Sequence, residues 1–425
     1  MVEYSDALKT DVSWLPKIPA HWELKKINAL FSERKTKVSD KDFAPLSVTK
    51  KGILPQLEHA AKSNDSDNRK LVKAGDFVIN SRSDRKGSCG VSPYDGSVSL
   101  INIVLTPRSG LNSQFVHYLL RNYRFSEEYY RNGRGIVADL WTTRYSEMRT
   151  ILLPVPPRTE QDQIVRFLDW KVSEINKLIG IRQKEIKELN ELKIVIVNHA
   201  ITGKYLNAKT KQSGIEWIGT IPDTWEIRHV KNVANITNGC DPKTEGDIPV
   251  YGSGDGAFKT CGEYKEGPTV LIGRKGATLH IPHYVEGKYW NVDTAFDVHM
   301  KDKNDLKWFY YLSQCFDYQF YISQTTLPSM TQTDYNNMSI PVPSVSVQRD
   351  IASFLDDENS KINKLINLNE RKIHALMELK ASIISDVVTG KIDVRGITVP
   401  QYEHIDDIAE DDSEDVKEET DGEEE

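Results

Sequence analysis

The sequence predicts an α+β protein of duplicated build. Two globular domains of mixed α/β structure with short strands are each followed by one long helix, giving an internal pseudo-two-fold repeat. Two observations carry this. The stretch from Leu153 to Leu206 opens as LPVPPRTEQDQIVRFLD; it returns at Ile340 as IPVPSVSVQRDIASFLD, and both copies run on to TGK. Pro154 and Pro341, Gln161 and Gln348, Ile175 and Ile362, and Gly203 and Gly390 all stand 187 positions apart, so the match needs no gap. A shorter repeat precedes each helix: WLPKIPAHWELKKINAL begins at Trp14, and WIGTIPDTWEIRHVKNV begins 203 positions later at Trp217. A repeat of fixed spacing sets the architecture before any single motif does.

At 425 residues the chain exceeds what one core serves, and two or more domains are expected. Each opener holds a Pro that fixes the bend and Trp residues that bury large area, so it reads as a turn packed on a core. Behind each opener come short β-type runs broken by Gly, Pro, Asn and Asp: DFVINS and VSLINIVLT in the first half, IPVYGSG, TVLIG and YWNVDTAFDVHM in the second. Shorter helical runs follow, SQFVHYLLRNYRF and DLKWFYYLSQCF. The two heads differ in sequence far more than the helices do.

Steps of four and three from Val165 give a heptad seam with Ile175, Ile179, Ile186 and Leu189 in the first copy. The second copy has Ile362, Ile366, Ile373 and Leu376. Arg182, Lys193, Asn369 and Lys380 interrupt the seam and are placed to fix the register of the two helices. Gly203 and Gly390 stand where each helix should stop. Some 40 residues at ~1.5 Å each span roughly 60 Å, more than an ordinary globular helix. Two buried helices of a compact domain are the alternative, but the length and the charge off the seam favour a coiled-coil spacer.

The net charge of −7 hides an imbalance. From Gly396 onward stand 14 Asp/Glu against one Lys, so residues 1–395 carry +6. The tail is expected to be disordered and solubilising, with competition for basic surfaces as a weaker reading. No apolar run approaches the ~20 residues of a membrane span, and the polar N-terminus is not a signal peptide, so a cytoplasmic protein is expected. Cys89, Cys240, Cys261 and Cys315 lie far apart, with no paired spacing and no His at ligand distance, which argues for reduced thiols and no metal.

Catalytic motifs are missing where they would be sought. IPVYGSGDGAFKT fails as a Walker loop, because Phe258 stands where Gly must precede Lys259. YGSGDG suits the Gly-rich loop of an S-adenosylmethionine methyltransferase better, yet the chain has no [DN]-P-P-[YF] tetrapeptide. No G-x-S-x-G elbow or H-E-x-x-H zinc site occurs. The basic and amide-rich loops say more. Arg82, Arg85, Lys86 and Ser88 follow the DFVIN run; Arg274, Lys275 and Thr278 follow TVLIG. Arg134, Thr142, Thr143 and Arg144 come later in the first half, Ser329, Thr331 and Gln332 in the second. Arg reads guanine, Gln reads adenine, Ser or Thr serves either, and Lys and Arg grip phosphate. A solvated turn explains any one loop as well; recurrence at matching places in both halves favours DNA contact.

The duplicated helices opening on a Pro and Gln motif with FLD and closing in TGK, each behind a W-x-x-x-I-P-x-x-W domain, resemble the specificity subunit of type I restriction–modification systems. The resemblance covers about residues 14–395; Val347 stands where the first copy has Glu160, and the acidic tail lies outside it. It implies two target recognition domains, at 1–157 and 207–343, each reading half of a bipartite asymmetric site in double-stranded DNA. It implies that the long helices, 158–206 and 344–395, lie antiparallel as a ruler, leaving 396–425 as a disordered tail. It further implies two methyltransferase subunits as partners, which bind S-adenosylmethionine, and a restriction/translocase subunit. This chain would then hold no cofactor and catalyse nothing. Two other readings stay open: a self-sufficient methylating enzyme using YGSGDG, and a purely structural coiled-coil scaffold.

Overall fold

A computed structural model of the chain describes residues 2–56, 67–134, 141–254, 256–322 and 328–406. It divides into two compact units, one formed by 1–183 with 370–425 and the other by 184–369. Each long helix therefore contributes one half to each unit. The helices are continuous over 44 residues, Arg158–Ile201 and Val345–Val388, about 66 Å at ~1.5 Å per residue.

In the first unit a four-stranded antiparallel sheet runs Cys89–Val91, Phe77–Asn80, Asn102–Pro107, Phe31–Glu33. Phe77, Ile79, Ile103 and Leu105 bury one face of it. Against them pack the helices Ser113–Arg121 and Tyr123–Arg131, each capped by an Asn side chain, Asn112 and Asn122. The other face carries Val78 and Val104 into a smaller cluster with Leu46, Ile53, Val72 and Val98. In the second unit the corresponding sheet runs Ala234–Asn238, Ala295–Met300, Thr269–Gly273, His283–Val285. A second sheet, Ala257–Cys261, Ile248–Tyr251, Lys288–Asn291, Lys265–Glu266, stands beside it.

The repeated sequence features do the same work twice. The LPVP strand Leu152–Val155 pairs with Glu23–Lys26 after the first opener, and Ser339–Val342 pairs with Glu226–His229 after the second. Trp14, Trp22 and Trp225 are buried in the unit cores, as expected of packed openers. Gly203 ends the first helix at φ 71°, and a Cβ there would sit 2.6 Å from Pro222. Gly390 ends the second at φ 73°, with a Cβ 2.3 Å from Pro19. Only glycine lets a helix end meet the opener so closely, in a backbone conformation other residues avoid. The first helix thus ends on the second opener, and the second helix ends on the first.

Within each unit the two helices pack antiparallel. Ile175 and Ile179 are buried in the first unit with Ile383 and Val387; Val197 and Ile201 share the core of the second with Ile351 and Leu355. Ile362 is buried as well, whereas Ile186, Leu189, Ile366, Ile373 and Leu376 are half-buried. Two interrupting lysines hold partners at matched places: Lys380 reaches Asn176 Oδ1 at 3.1 Å, and Lys193 reaches Asn363 Oδ1 at 3.4 Å.

Residues 396–406, expected from composition to be disordered, have a defined place in the first unit. Residues 396–406 lie extended along the first long helix: Gln163 donates to the carbonyls of Val394 and Ile397, and Asn176 to those of Ile405 and Asp406. The acidic composition misled because the charge is concentrated beyond this stretch, which itself carries Ile397, Val399 and backbone groups that the helix satisfies. Residues 407–425 lie outside the described residues.

Candidate nucleic-acid interface

Both heads end their central sheet in the same frame, with two matched backbone bonds on one side and, on the other, a hydroxyl donor in the first head where the second uses a backbone N–H. In the first head Asn80 pairs with Asn102 at the last ladder position, so Ile101 comes to lie beside Ser81, whose hydroxyl donates to Ile101 O at 2.6 Å. On the other side Thr143 N donates to Ser81 O and Ser83 N to Trp141 O, with Arg82 bridged to Thr142. Arg134 pairs in turn with Thr142. In the second head Gly273 pairs with Ala295, and Arg274 N donates to Thr294 O. Met330 N donates to Arg274 O and Gly276 N to Pro328 O, with Lys275 bridged to Ser329. Arg82 therefore corresponds to Lys275, Thr142 to Ser329, Trp141 to Pro328, and Ile101 to Thr294.

These bonds bring together segments far apart in the chain, among them most of the residues picked from sequence. Arg82, Arg134, Thr142 and Arg144 lie on or beside the frame of the first head, as Arg274, Lys275 and Ser329 do in the second. The cations are aimed by carboxylates. Arg82 forms a two-point pair with Asp84 at 3.0 and 2.9 Å, Lys86 pairs with Glu127, and Lys275 lies 3.6 Å from Asp293. Arg274 donates to the Asp293 carbonyl at 3.1 Å. Arg85 follows in the short turn Ser83–Arg85, its carbonyl accepting from Tyr130.

Some choices fall inward. Ser88 is buried, and its backbone closes the turn onto Asn80 and Arg85. Thr143 is 1% exposed, donating to Tyr129 O while Tyr129 donates back to Thr143 O. Ser88 lies just ahead of the strand Cys89–Val91, and Thr143 lies against Tyr129 of the helix Tyr123–Arg131, so both side chains are covered. Thr331 is spent as the N-cap of helix Gln332–Asn337, where it pairs with Asp334, and Gln332 donates its amide to Ile236 O. Thr278 donates to Ser253 O at 2.7 Å.

That last bond shows what sequence reasoning missed. Within the Gly-rich stretch Ser253 donates its hydroxyl to Lys275 O and accepts from Thr278 at its carbonyl, so this one residue ties down both ends of the Lys275–Thr278 loop. Also missed were Leu100 and Ile101 with their counterparts Asp293 and Thr294. They reach the frame through strand register, which no local motif announces. Among the described residues no group of His, Cys, Asp and Glu has the arrangement of a metal site. None of the described helices is long and apolar enough to cross a membrane.

Two heads of one frame, each presenting cations and hydroxyls at its strand ends and each packed on part of a long helix pair, define a duplicated architecture. Residues 222–375 match the family described as type I restriction modification DNA specificity domain. The putative type I restriction enzyme MjaX specificity subunit of Methanocaldococcus jannaschii is 22% identical, covering 91% of this chain and 96% of that protein. The MjaVIII specificity subunit of the same organism is 24% identical over 58% of this chain and 63% of its own length. A solved structure described as the basis of complex assembly and conformational transition of the type I R-M system shares the fold. Its TM-score is 0.67 at 16% identity, covering 88% of this chain and 99% of that one. Over these spans the chain is similar to specificity subunits of type I restriction–modification systems.

Proposed function

We propose that this chain is the DNA-recognition subunit of such a system, each head reading one half of a bipartite asymmetric site. The observation that carries this is the matched strand-end frame, which places Arg82 and Lys275 at equivalent points of two otherwise different heads. A common frame with different side chains is what two unlike half-sites require. The long helices set the spacer between half-sites and carry the modification subunits, which bring S-adenosylmethionine and the methylation chemistry; a translocase–nuclease subunit joins them for restriction.

The helices support the stoichiometry of two modification subunits. Leu178, Ile181 and Leu192 of the first are exposed, and so are Leu365, Leu368 and Leu379 of the second, each pair 187 positions apart. Apolar residues left uncovered at matched places mark the same docking face twice. Titration of random duplex DNA at several salt concentrations tests the recognition reading. Arg82→Ala and Lys275→Ala should each reduce the salt slope by about 1 if the lost group neutralises one phosphate. A chain without salt-dependent binding would be a scaffold, and labelled S-adenosylmethionine retained by the chain alone would favour the enzyme reading.

A further inference from the structure

The two heads share a frame but differ in what fills its rim. In the first head the rim is apolar and open to solvent: Leu100 is 39% exposed, Ile101 38% and Trp141 39%. The same three places in the second head hold Asp293, Thr294 and Pro328, where Asp293 is occupied with Arg274 and Lys275. Leu100, Ile101 and Trp141 are not held outward by a shortage of core. Ile101 directly precedes the strand Asn102–Pro107, whose first four residues are all buried, and Trp141 precedes the buried Thr143 by two positions. Their backbones are fixed on either side of Arg82, through Ser81 to Ile101 O and Ser83 to Trp141 O.

An arginine whose backbone neighbours are bonded on either side to exposed apolar residues suits one kind of base-pair edge pattern in the major groove. A guanine acceptor pair takes the guanidinium, and the only apolar group any base shows there is the thymine 5-methyl. We infer that the first head reads a thymine methyl with Ile101, Trp141 and Leu100 beside the base or phosphate contacted by Arg82, and that the second head does not. This deepens the reading of the chain as a two-headed DNA reader and rests on it. The occupant is the methyl of a stacked base pair; a side-chain wedge between base steps is the competing geometry.

The experiment starts by selecting bound sites from a random duplex library with the full chain. Each thymine of the selected site is then replaced by deoxyuridine, which removes only the methyl. Burial of one methyl gives an expected weakening of about fourfold at one position, in one half-site alone. The same replacement should leave the binding of the L100S/I101S/W141S triple variant unchanged, since all three apolar partners of the methyl are then gone. Penalties that multiply independently, or a selected site with no uracil-sensitive thymine, would overturn the inference and leave the DNA reading standing. A library from which the chain enriches nothing would overturn both. The uracil scan with the unaltered chain needs no variant to fold.

Discussion

Gln161 and Gln348 show how a repeated residue can be structural in a chain whose function lies elsewhere. Gln161 accepts from Asn112 N at 2.9 Å and donates to Pro156 O at 2.9 Å; Gln348 accepts from Asp305 N at 2.8 Å and donates to Pro343 O at 3.0 Å. Asn112 and Asp305 cap the first helix behind each strand-end frame, so the glutamine ties the long helix to the head it serves. Both glutamines are 1% exposed, and replacing either with leucine strands a buried amide donor and a carbonyl. The expected loss is about 1–3 kcal/mol for each, measured by thermal or urea unfolding, with DNA selectivity kept by the protein that remains folded. Glu160 marks where the copies part: it accepts from Tyr4, Trp22 and His21 at 2.6, 3.0 and 2.7 Å, and Val347 stands in its place in the second copy. The thiols give a second prediction. Burial pushes the Cys89 thiol up to about 11 and the Cys315 thiol up to about 12, so neither supplies much thiolate near neutral pH. Cys240 is exposed and Cys261 is buried. Maleimide at neutral pH should therefore label Cys240 first, and mass spectrometry showing Cys89 labelled at the same rate would contradict the packing.

At the scale of elements, the helices were legible because their signal is periodic and doubled. A heptad seam with matched polar interruptions specifies a helix and its buried side without any long-range information. The heads were legible as strands and turns but not as a sheet order, because register is set by pairings between distant segments. That is why Arg82 and Thr142 could each be chosen from sequence while their bridge could not, and why Ser88 and Thr143 looked like surface residues. Composition does not announce the place of the C-terminal segment: Gln163 and Asn176 donate to its carbonyls at 2.7 to 3.1 Å, and Val394 just ahead of it is fully buried. Asn363, the counterpart of Asn176 on the second helix, is exposed. Truncation after Arg395 should expose Ser173 and Asn176 and speed amide exchange around residues 163–177, while the second helix around residues 350–364 stays unchanged. Equal exchange in truncated and full-length chains would show that the segment adds nothing to the first unit.

For the whole molecule, the proposed reading makes recognition and spacing separable, because heads and helices are each duplicated. A head is built between an opener and an LPVP or IPVP strand that recur in both halves, so residues 207–340 can be exchanged for the same segment of a relative that keeps the Pro222 and Trp225 positions against Gly203. Such a chimera should change one half-site and keep the other. The helices are the complementary handle. One extra turn adds ~5.4 Å to a helix, against ~3.4 Å per base pair of B-DNA, so inserting a turn into one long helix should lengthen the preferred spacer by one or two base pairs. The bases read at each end should not change, because the strand-end frames are closed within each head by backbone bonds such as Thr143 N to Ser81 O and Met330 N to Arg274 O. Sequencing the methylated sites of cells carrying each variant with its partner subunits reads both outcomes at once. If the inserted turn alters both half-sites, the heads do not read independently and the helices are more than a ruler; if the spacer stays fixed, something other than helix length sets it.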